Sequence, residues 1–473
     1  MLSLILLAAA ATVNAIPTIT TKGSKFFTSD GDQYFLKGIA YQLVPDDPLI
    51  DNTQCSLDAA LMKDIGANAI RVYHVDPSGN HDDCMRTFAD AGIYLWLDLD
   101  TFDTQIEQTA PRWNTTQKEA FQDVLDAFIQ YDNLGGVFVG NEVLTTGTGS
   151  VAAPYVKAAA RDLKAYRNSK NYRKVPIGYS AADIASLRPM LQNYLVCGDN
   201  ADESLDFFAL NAYEWCGDAT YETSGYEILN DMVKDFPVPI YFSETGCIVP
   251  KPRTFDDQAA ILGDKMNQYW SGAIIYEWIM EANDYGLISY GAKVDPASNN
   301  APPDGFPRSG TPTPLSPDFP NLSRHWATLN PTGIKESAYS PSLTAPPCPA
   351  STAGTWEIDG DVDLPSVGQV YAPTSTSGRS SPSASMHRSF SSSTALDTAS
   401  VISPSTAFAS ASVSASANPN DQGNFNAESG NTGAEPSASE TQTGGGVAAT
   451  SGNEVRNMAI SLITITMGLF WWM

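Results

Sequence analysis

From Ile16 to about Cys348 the chain repeats one pattern. A short, almost unbroken apolar run is followed by a longer stretch whose apolar residues recur at helical spacing against a charged face. The apolar runs are residues 34–41, 67–73, 93–99, 134–140, 175–180, 206–212, 238–243 and 272–278, rich in β-branched and aromatic residues. Runs apolar at consecutive positions suit strands buried on both faces, as in a parallel sheet covered by helices. The intervening segments 57–65, 84–91, 116–131, 153–167, 226–236 and 256–270 read as helices, and Thr115-Thr116-Gln117-Lys118-Glu119 has the look of a capped start. The link between the fifth and sixth runs is the thinnest, with only Pro189–Val196 to form its helix. Eight strands alternating with helices predict an α/β fold of the (β/α)8 TIM-barrel class. An open doubly wound sheet fits less well, because the first βα turn lacks a glycine-rich phosphate loop.

The two ends break the pattern. Residues 1–15 form an apolar leader ending in Val13-Asn14-Ala15, which reads as a signal peptide. The barrel is expected over 16–350 and a low-complexity stalk rich in Ser, Thr, Ala and Gly over 351–446. Residues 447–473 then supply a polar spacer and the apolar tail MAISLITITMGLFWWM, following the small residues GGGVAAT. Small site, spacer and short apolar tail form the pattern of a GPI-attachment signal, with Gly446 as the preferred attachment residue. A tail-anchored helix is the alternative, disfavoured by the export leader and a tail shorter than about 20 residues. The expected location is therefore the outer leaflet of the plasma membrane.

Charge and cysteine usage narrow the chemistry. A net charge of −26 and pI near 4.3 argue against nucleic acid and against docking on anionic lipid, and say little about a neutral polysaccharide. No cysteine pair has C-x-x-C spacing and the chain has 4 histidines, so neither a metal site nor a cofactor is expected. Export makes disulfides the expected state of the 6 cysteines. In a barrel, Cys55 and Cys84 follow strands one and two, and Cys216 and Cys247 follow strands six and seven, all at the same rim. Cys197 and Cys348 fall at the opposite end. The expected pairs are 55–84, 216–247 and 197–348, the last closing a loop worth roughly 5 kcal/mol of unfolded-chain entropy.

The candidate chemistry lies in two glutamates. Glu142 ends LGGVFVGNE and Glu244 sits in VPIYFSETG, so both project from the C-terminal rim of strands four and seven, where barrels of this class do chemistry. One acid at a strand end is an ordinary ion-pair or cap residue; two across a ring are the equipment for cutting a glycosidic bond. In a retaining mechanism the carboxyls stand ~5–5.5 Å apart, with Glu142 as acid/base, Glu244 as nucleophile and the Asn141 amide on a neighbouring sugar hydroxyl. An acidic optimum is expected, because Glu142 must stay protonated beside an ionised neighbour. Aromatic residues at strand ends (Tyr41, Tyr73, Tyr213, Trp215, Tyr276, Tyr285) are candidates to pack on sugar rings. Asn114 and Asn321 fit the N-x-S/T pattern for glycosylation.

The stretches KGIAYQ (37–42), GANAIRVYHVDP (66–77), YLWLDL (94–99), VFVGNEV (137–143), LNAYEWCG (210–217), YFSETGC (241–247) and YEWIMEANDYGL (276–287) resemble the GPI-anchored β-1,3-glucanosyltransferases of fungal cell walls, glycoside hydrolase family 72. The resemblance implies a retaining barrel that cleaves inside a β-1,3-glucan and passes the new reducing end to a second glucan, with donor and acceptor chains as its partners. It implies the same roles for Glu142 and Glu244, and substrate contacts for Gln42, Tyr73, Asp98, Asn141, Tyr213, Tyr276 and Tyr285. The same three disulfides are implied. The segment after Gln42 is shorter than usual in that family, and no cysteine-rich glucan-binding module follows the barrel. A β-1,3-glucan hydrolase, another retaining β-glycanase, and a glucan-binding wall protein without turnover are the competing readings.

Overall fold

The computed structural model describes residues 16–360 and 362–370. Eight parallel strands close into a barrel: β1 (Leu36–Ala40), β2 (Ala69–Val72), β3 (Tyr94–Asp98), β4 (Leu134–Asn141), β5 (Ile177–Ala182), β6 (Phe207–Asn211), β7 (Ile240–Thr245) and β8 (Trp270–Ile275). They are ordered as in sequence, and β8 returns to β1 with Gly272 opposite Leu36. Every strand coincides with one of the apolar runs. The TIM-barrel expectation holds because those runs are buried on both faces: outward residues pack under helices and inward residues fill the barrel.

Helices α1 (Asn52–Ile65), α2 (Asp82–Asp90), α3 (Thr115–Phe128), α4 (Ala153–Ser169), α5 (Arg188–Val196), α6 (Tyr226–Met232), α7 (Asp256–Ile261) and α8 (Asp318–Thr328) surround it. α1 starts five residues before its expected Leu57, because the Asp51 side chain caps it through the backbone amides of Thr53 and Gln54. α3 opens on a capping box between Asn114 and Gln117. α6 and α7 stop short of their expected ends. Phe236 precedes Pro237 and is pushed off helical geometry, and Gly263 weakens any continuation of α7.

An element the hydrophobic pattern does not announce seals the N-terminal end of the barrel. Strands Ile19–Lys22 and Lys25–Thr28 form a hairpin around Gly23, whose φ of +53° suits a residue without Cβ. Its Phe26 ring lies 5.1 Å from Trp96 and 5.9 Å from both Phe207 and Tyr241. Room for these rings comes from Gly136 and Gly178. A Cβ on either would stand 2.5 Å from Trp96 or Phe207.

Disulfides join Cys55–Cys84, Cys197–Cys348 and Cys216–Cys247. The chain stays packed beyond residue 350, the boundary expected from composition. Trp356 is fully buried with its ring 5.4 Å from Tyr194, and Glu357 N donates to Ser150 Oγ at 2.8 Å. Gln369–Val370 then pairs with Arg112–Trp113. The small, turn-rich composition of 351–370 hides one tryptophan that is enough to anchor the segment. The signal peptide, the greater part of the expected stalk, Gly446 and the anchor signal lie outside the described residues. Among the described residues no helix is long and apolar enough to cross a membrane.

Candidate active site

The C-terminal mouth of the barrel is organised around a cation that the apolar pattern half conceals. Arg71 is the one charged residue in the run AIRV of β2, and it is fully buried facing the interior. Its Nε and Nη2 donate to the two Asp98 oxygens at 2.9 and 3.0 Å, a bidentate pair fixed by β3 next door. Nη2 also donates to Asn141 Oδ1 at 3.0 Å, and Nη1 to Glu244 Oε1 at 3.2 Å. The guanidinium lies over the rings of Tyr73 and Phe138, 4.4 and 4.5 Å from their centres. Burial works against this cation, but Asp98, Tyr73 and Glu244 outweigh it and hold its pKa well above the ordinary value. Arg71 is therefore a permanent positive charge under the site.

Glu244, on β7 opposite Asn211 of β6, is enclosed by donors. Tyr73 Oη donates to Oε1 at 2.9 Å and Tyr213 Oη to Oε2 at 2.8 Å. Both phenols are pushed well above their usual pKa, first by burial and then by the carboxylate beside them, so they remain donors. Burial raises the Glu244 carboxyl to about 7, while Arg71 and the two tyrosines pull it down and negative charge on Glu142 pushes it up. Glu244 thus feels the charge of Glu142 across one site.

Glu142 is exposed where Glu244 is buried. It follows the last residue of β4 with φ +48°, a left-handed conformation uncommon for any residue that carries a Cβ. The turn is held by Glu142 N donating to Ser180 O at 2.8 Å, a cross-strand bond to β5. Its Oε1 accepts from Asn211 Nδ2 at 2.8 Å, and the same amide donates to Asn141 Oδ1 at 3.0 Å. Asn141 Oδ1 takes a further bond from Ser180 Oγ at 2.9 Å. Asn211 Oδ1 in turn accepts from Ser180 and Ser243 hydroxyls at 3.0 and 2.8 Å. Strain at one carboxyl is tolerated because this lattice over-determines it.

The other residues expected at the site divide. Tyr213, Tyr285 and Tyr276 form an edge-to-face wall, with centroids 5.8 and 5.4 Å apart. Gln42 is tied to the loop after β2: its Oε1 accepts from the Tyr73 and His74 amides at 2.9 and 3.1 Å, and its Nε2 donates to Val44 O at 2.6 Å. Of the other candidates for sugar packing, Tyr41 belongs elsewhere and Trp215 is half-buried. Tyr41 is buried with its hydroxyl on Asp58 at 2.8 Å, and Trp215 packs its ring 5.1 Å from Tyr226. Asn321 is not a surface glycosylation acceptor: it is buried in α8 and its amide donates to Arg253 O at 2.6 Å. Asn114 caps α3 through its oxygen and is partly exposed.

Arg71, Asn211, Ser180 and Ser243 were not singled out from the sequence. The signal for Arg71 was available: a lone arginine amid consecutive apolar strand residues has no water to turn to and needs buried anions. For the serines and Asn211 the sequence holds no comparable cue.

A buried carboxyl held by a cation and two phenols, facing an exposed carboxyl on the same mouth, is suited to double displacement at an acetal carbon. A family model described as glucanosyltransferase, glycoside hydrolase family 72, matches residues 8–300. The 1,3-beta-glucanosyltransferase gas2 of Schizosaccharomyces pombe is 38% identical over 371 residues, covering 75% of this chain and 77% of the relative. The 1,3-beta-glucanosyltransferase GAS2 of Saccharomyces cerevisiae is 38% identical over 72% of this chain, which spans 62% of that relative's length. A solved structure of Saccharomyces cerevisiae Gas2p, a glutamate-to-glutamine mutant in complex with laminaritetraose and laminaripentaose, superposes with TM-score 0.65 at 38% identity, covering 74% of each chain. The chain belongs to the glucanosyltransferase family, glycoside hydrolase family 72.

Proposed function

We propose that the protein is a retaining β-1,3-glucanosyltransferase that cuts an internal linkage of one β-1,3-glucan and joins the new reducing end to the non-reducing end of another. The observation that carries this reading is the enclosure of Glu244 by Arg71, Tyr73 and Tyr213, with Glu142 exposed across the mouth. Glu244 attacks the anomeric carbon as Glu142 gives its proton to the departing 3-oxygen. Glu244 Oε1 carries two donors and Oε2 one, so Oε2 is the freer to form the new bond. Asn211 occupies Glu142 Oε1, which leaves Oε2 to hold the transferable proton. The 3-hydroxyl of an acceptor glucan then attacks the glycosyl-enzyme, returning its proton to Glu142 and freeing Glu244.

Asn141 supports the first step. Its Oδ1 is fully used by Arg71, Ser180 and Asn211, which turns its amide nitrogen away from them and makes it available to the sugar hydroxyl beside the reacting carbon. The Tyr213–Tyr285–Tyr276 wall is the surface against which that sugar rests. The export and anchor signals read from the sequence would carry this activity to the outer leaflet of the membrane, facing cell-wall glucan.

The test is to feed the purified protein a reduced β-1,3-oligosaccharide and size the products by mass spectrometry. Products longer than the input are expected, whereas only shorter ones would make it a hydrolase and none a binder. Glu142→Gln and Glu244→Gln should each abolish turnover while the circular dichroism spectrum stays that of the folded barrel. Full activity in either would overturn the assignment of roles.

A further inference from the structure

Behind the tyrosine wall lies a second buried guanidinium. Arg253 stands in the segment between β7 and α7 and is 2% exposed. Burial on that scale obliges its donors to find partners inside the protein. Nη1 donates to Tyr276 O at 2.9 Å, and Nη2 donates to Tyr285 O at 2.6 Å and Gly286 O at 3.4 Å. Nε donates to Asp318 Oδ2 at 2.7 Å, in the first turn of α8. The same helix holds the Arg253 backbone: its N donates to Asp318 Oδ1 at 3.3 Å and its O accepts from Asn321 Nδ2 at 2.6 Å. The side chain is thus anchored from α8 and grips two wall tyrosines by their main chain.

Tyr276 and Tyr285 are the two ends of the loop that leaves β8, and Glu277 N donating to Tyr285 O at 3.3 Å closes its neck. A planar fork with donors on separate nitrogens bonds both carbonyls and a carboxylate at once. An ammonium, whose donors share one nitrogen, does not span them. Room for the fork comes from Gly246, two residues after Glu244, at φ +127°. A Cβ there would stand 3.2 Å from Tyr276 O and 3.4 Å from Arg253 Nη1. The clamp therefore abuts the strand that carries the nucleophile. Resting on the reading above of Tyr276 and Tyr285 as the surface beneath the sugar, we propose that Arg253 is a positioning residue for the reaction. By bonding both backbone carbonyls it fixes the spacing and tilt of the two rings, and through them the approach of the sugar to Glu244. A displacement of about 1 Å in such a support can cost on the order of a hundredfold in rate.

The experiment measures kcat/KM of the full protein on a reduced laminari-oligosaccharide for Arg253→Lys, Tyr285→Ala and the two combined. Arg253→Lys keeps a cation beside Asp318 and should lower kcat/KM about thirtyfold, with the circular dichroism spectrum still that of the folded barrel. In the Tyr285→Ala background the same substitution should cost only about threefold, the share carried by Tyr276. An arginine that merely holds the fold would give one factor in both backgrounds. That result, or full activity in Arg253→Lys, would overturn the clamp. If Arg253→Lys does not fold, Asp318→Asn replaces it, loosening the anchor while leaving the carbonyl bonds. It should lower kcat/KM about fivefold alone and less than about twofold beside Tyr285→Ala, and equal factors again overturn the clamp. If Tyr276→Ala and Tyr285→Ala each keep full activity, the wall reading fails and the clamp with it. If they lose activity and Arg253→Lys does not, the clamp alone fails. If the unsubstituted protein only hydrolyses, the transfer reading fails while the two factors still decide the clamp. If it turns over nothing, calorimetric titration of the oligosaccharide decides: weaker binding by Arg253→Lys supports the clamp and equal binding overturns it.

Discussion

At the N-terminal end of the barrel interior Phe26, Trp96, Phe207 and Tyr241 meet as a cluster of rings. Two residues further along β2, β3 and β6, the interior positions change from Ala69, Trp96 and Ala209 to Arg71, Asp98 and Asn211. The same strands thus supply an apolar floor and a polar mouth, separated by one turn of the strand alternation. The floor is held by contact area and shape. The mouth is held by charge and directed hydrogen bonds, in which each member depends on its partners. The two halves should therefore fail differently when cut.

Arg71→Met should give the largest effect. It leaves Asp98 and Glu244 buried without their cation, a loss of about 3–5 kcal/mol in folding free energy by urea titration, and activity should vanish with it. Phe26→Ala should cost about 3 kcal/mol through the cavity it opens in the floor, yet keep kcat at temperatures where the barrel stays folded. A drop in kcat larger than the drop in folded fraction would show that the floor reaches the chemistry. A small stability loss in Arg71→Met would show that the mouth is less interdependent than its geometry implies.

This contrast also explains what could be read from the sequence. The eight strands were legible because consecutive apolar residues leave little choice but burial on both faces. Glu142 and Glu244 were legible because each stands at the polar edge of such a run, and the cysteine pairs because the barrel puts strand ends into two groups. The lattice of Arg71, Asn211, Ser180 and Ser243 was not, since a short polar residue at the end of a strand looks the same whether it faces water or a buried partner. Tyr41 failed for the same reason: it ends β1 like Tyr73 ends β2, but the pleat turns it outward onto Asp58. The hairpin carrying Phe26 escaped notice because its strands are four residues each and rich in Thr and Lys.

Buried carboxyls at the mouth give a pH dependence that the floor lacks. Burial raises Glu244 and Asp100 to about 7 and Asp257 to about 6, from ordinary values near 4. In the unfolded chain these groups lose their protons near pH 4, but in the folded chain they keep them longer. Their stabilising contribution is complete below about pH 4 and is lost as pH rises through 6 to 7. Melting followed by circular dichroism should therefore drop by roughly 5 °C between pH 5 and pH 8. Glu244→Gln should flatten part of that slope, whereas Phe26→Ala should shift the whole curve without changing its shape.

The finest test separates the forces on Glu244 itself. Its negative form must attack, so the acid limb of kcat/KM reports its ionisation in the free enzyme. Burial holds that carboxyl up at about 7, which puts the limb close to neutrality. Tyr213→Phe removes a hydrogen bond to the charged form and should move the limb up by about half a unit, with Tyr73→Phe acting in the same direction. Glu142→Gln removes a negative neighbour and should move it down, read by carbon NMR titration of the Glu244 carboxyl because turnover is gone. No shift in any of the three variants would mean that burial alone governs Glu244 and that the tyrosines only position it. Opposite signs would establish that the mouth tunes its nucleophile by balancing donors against a like charge.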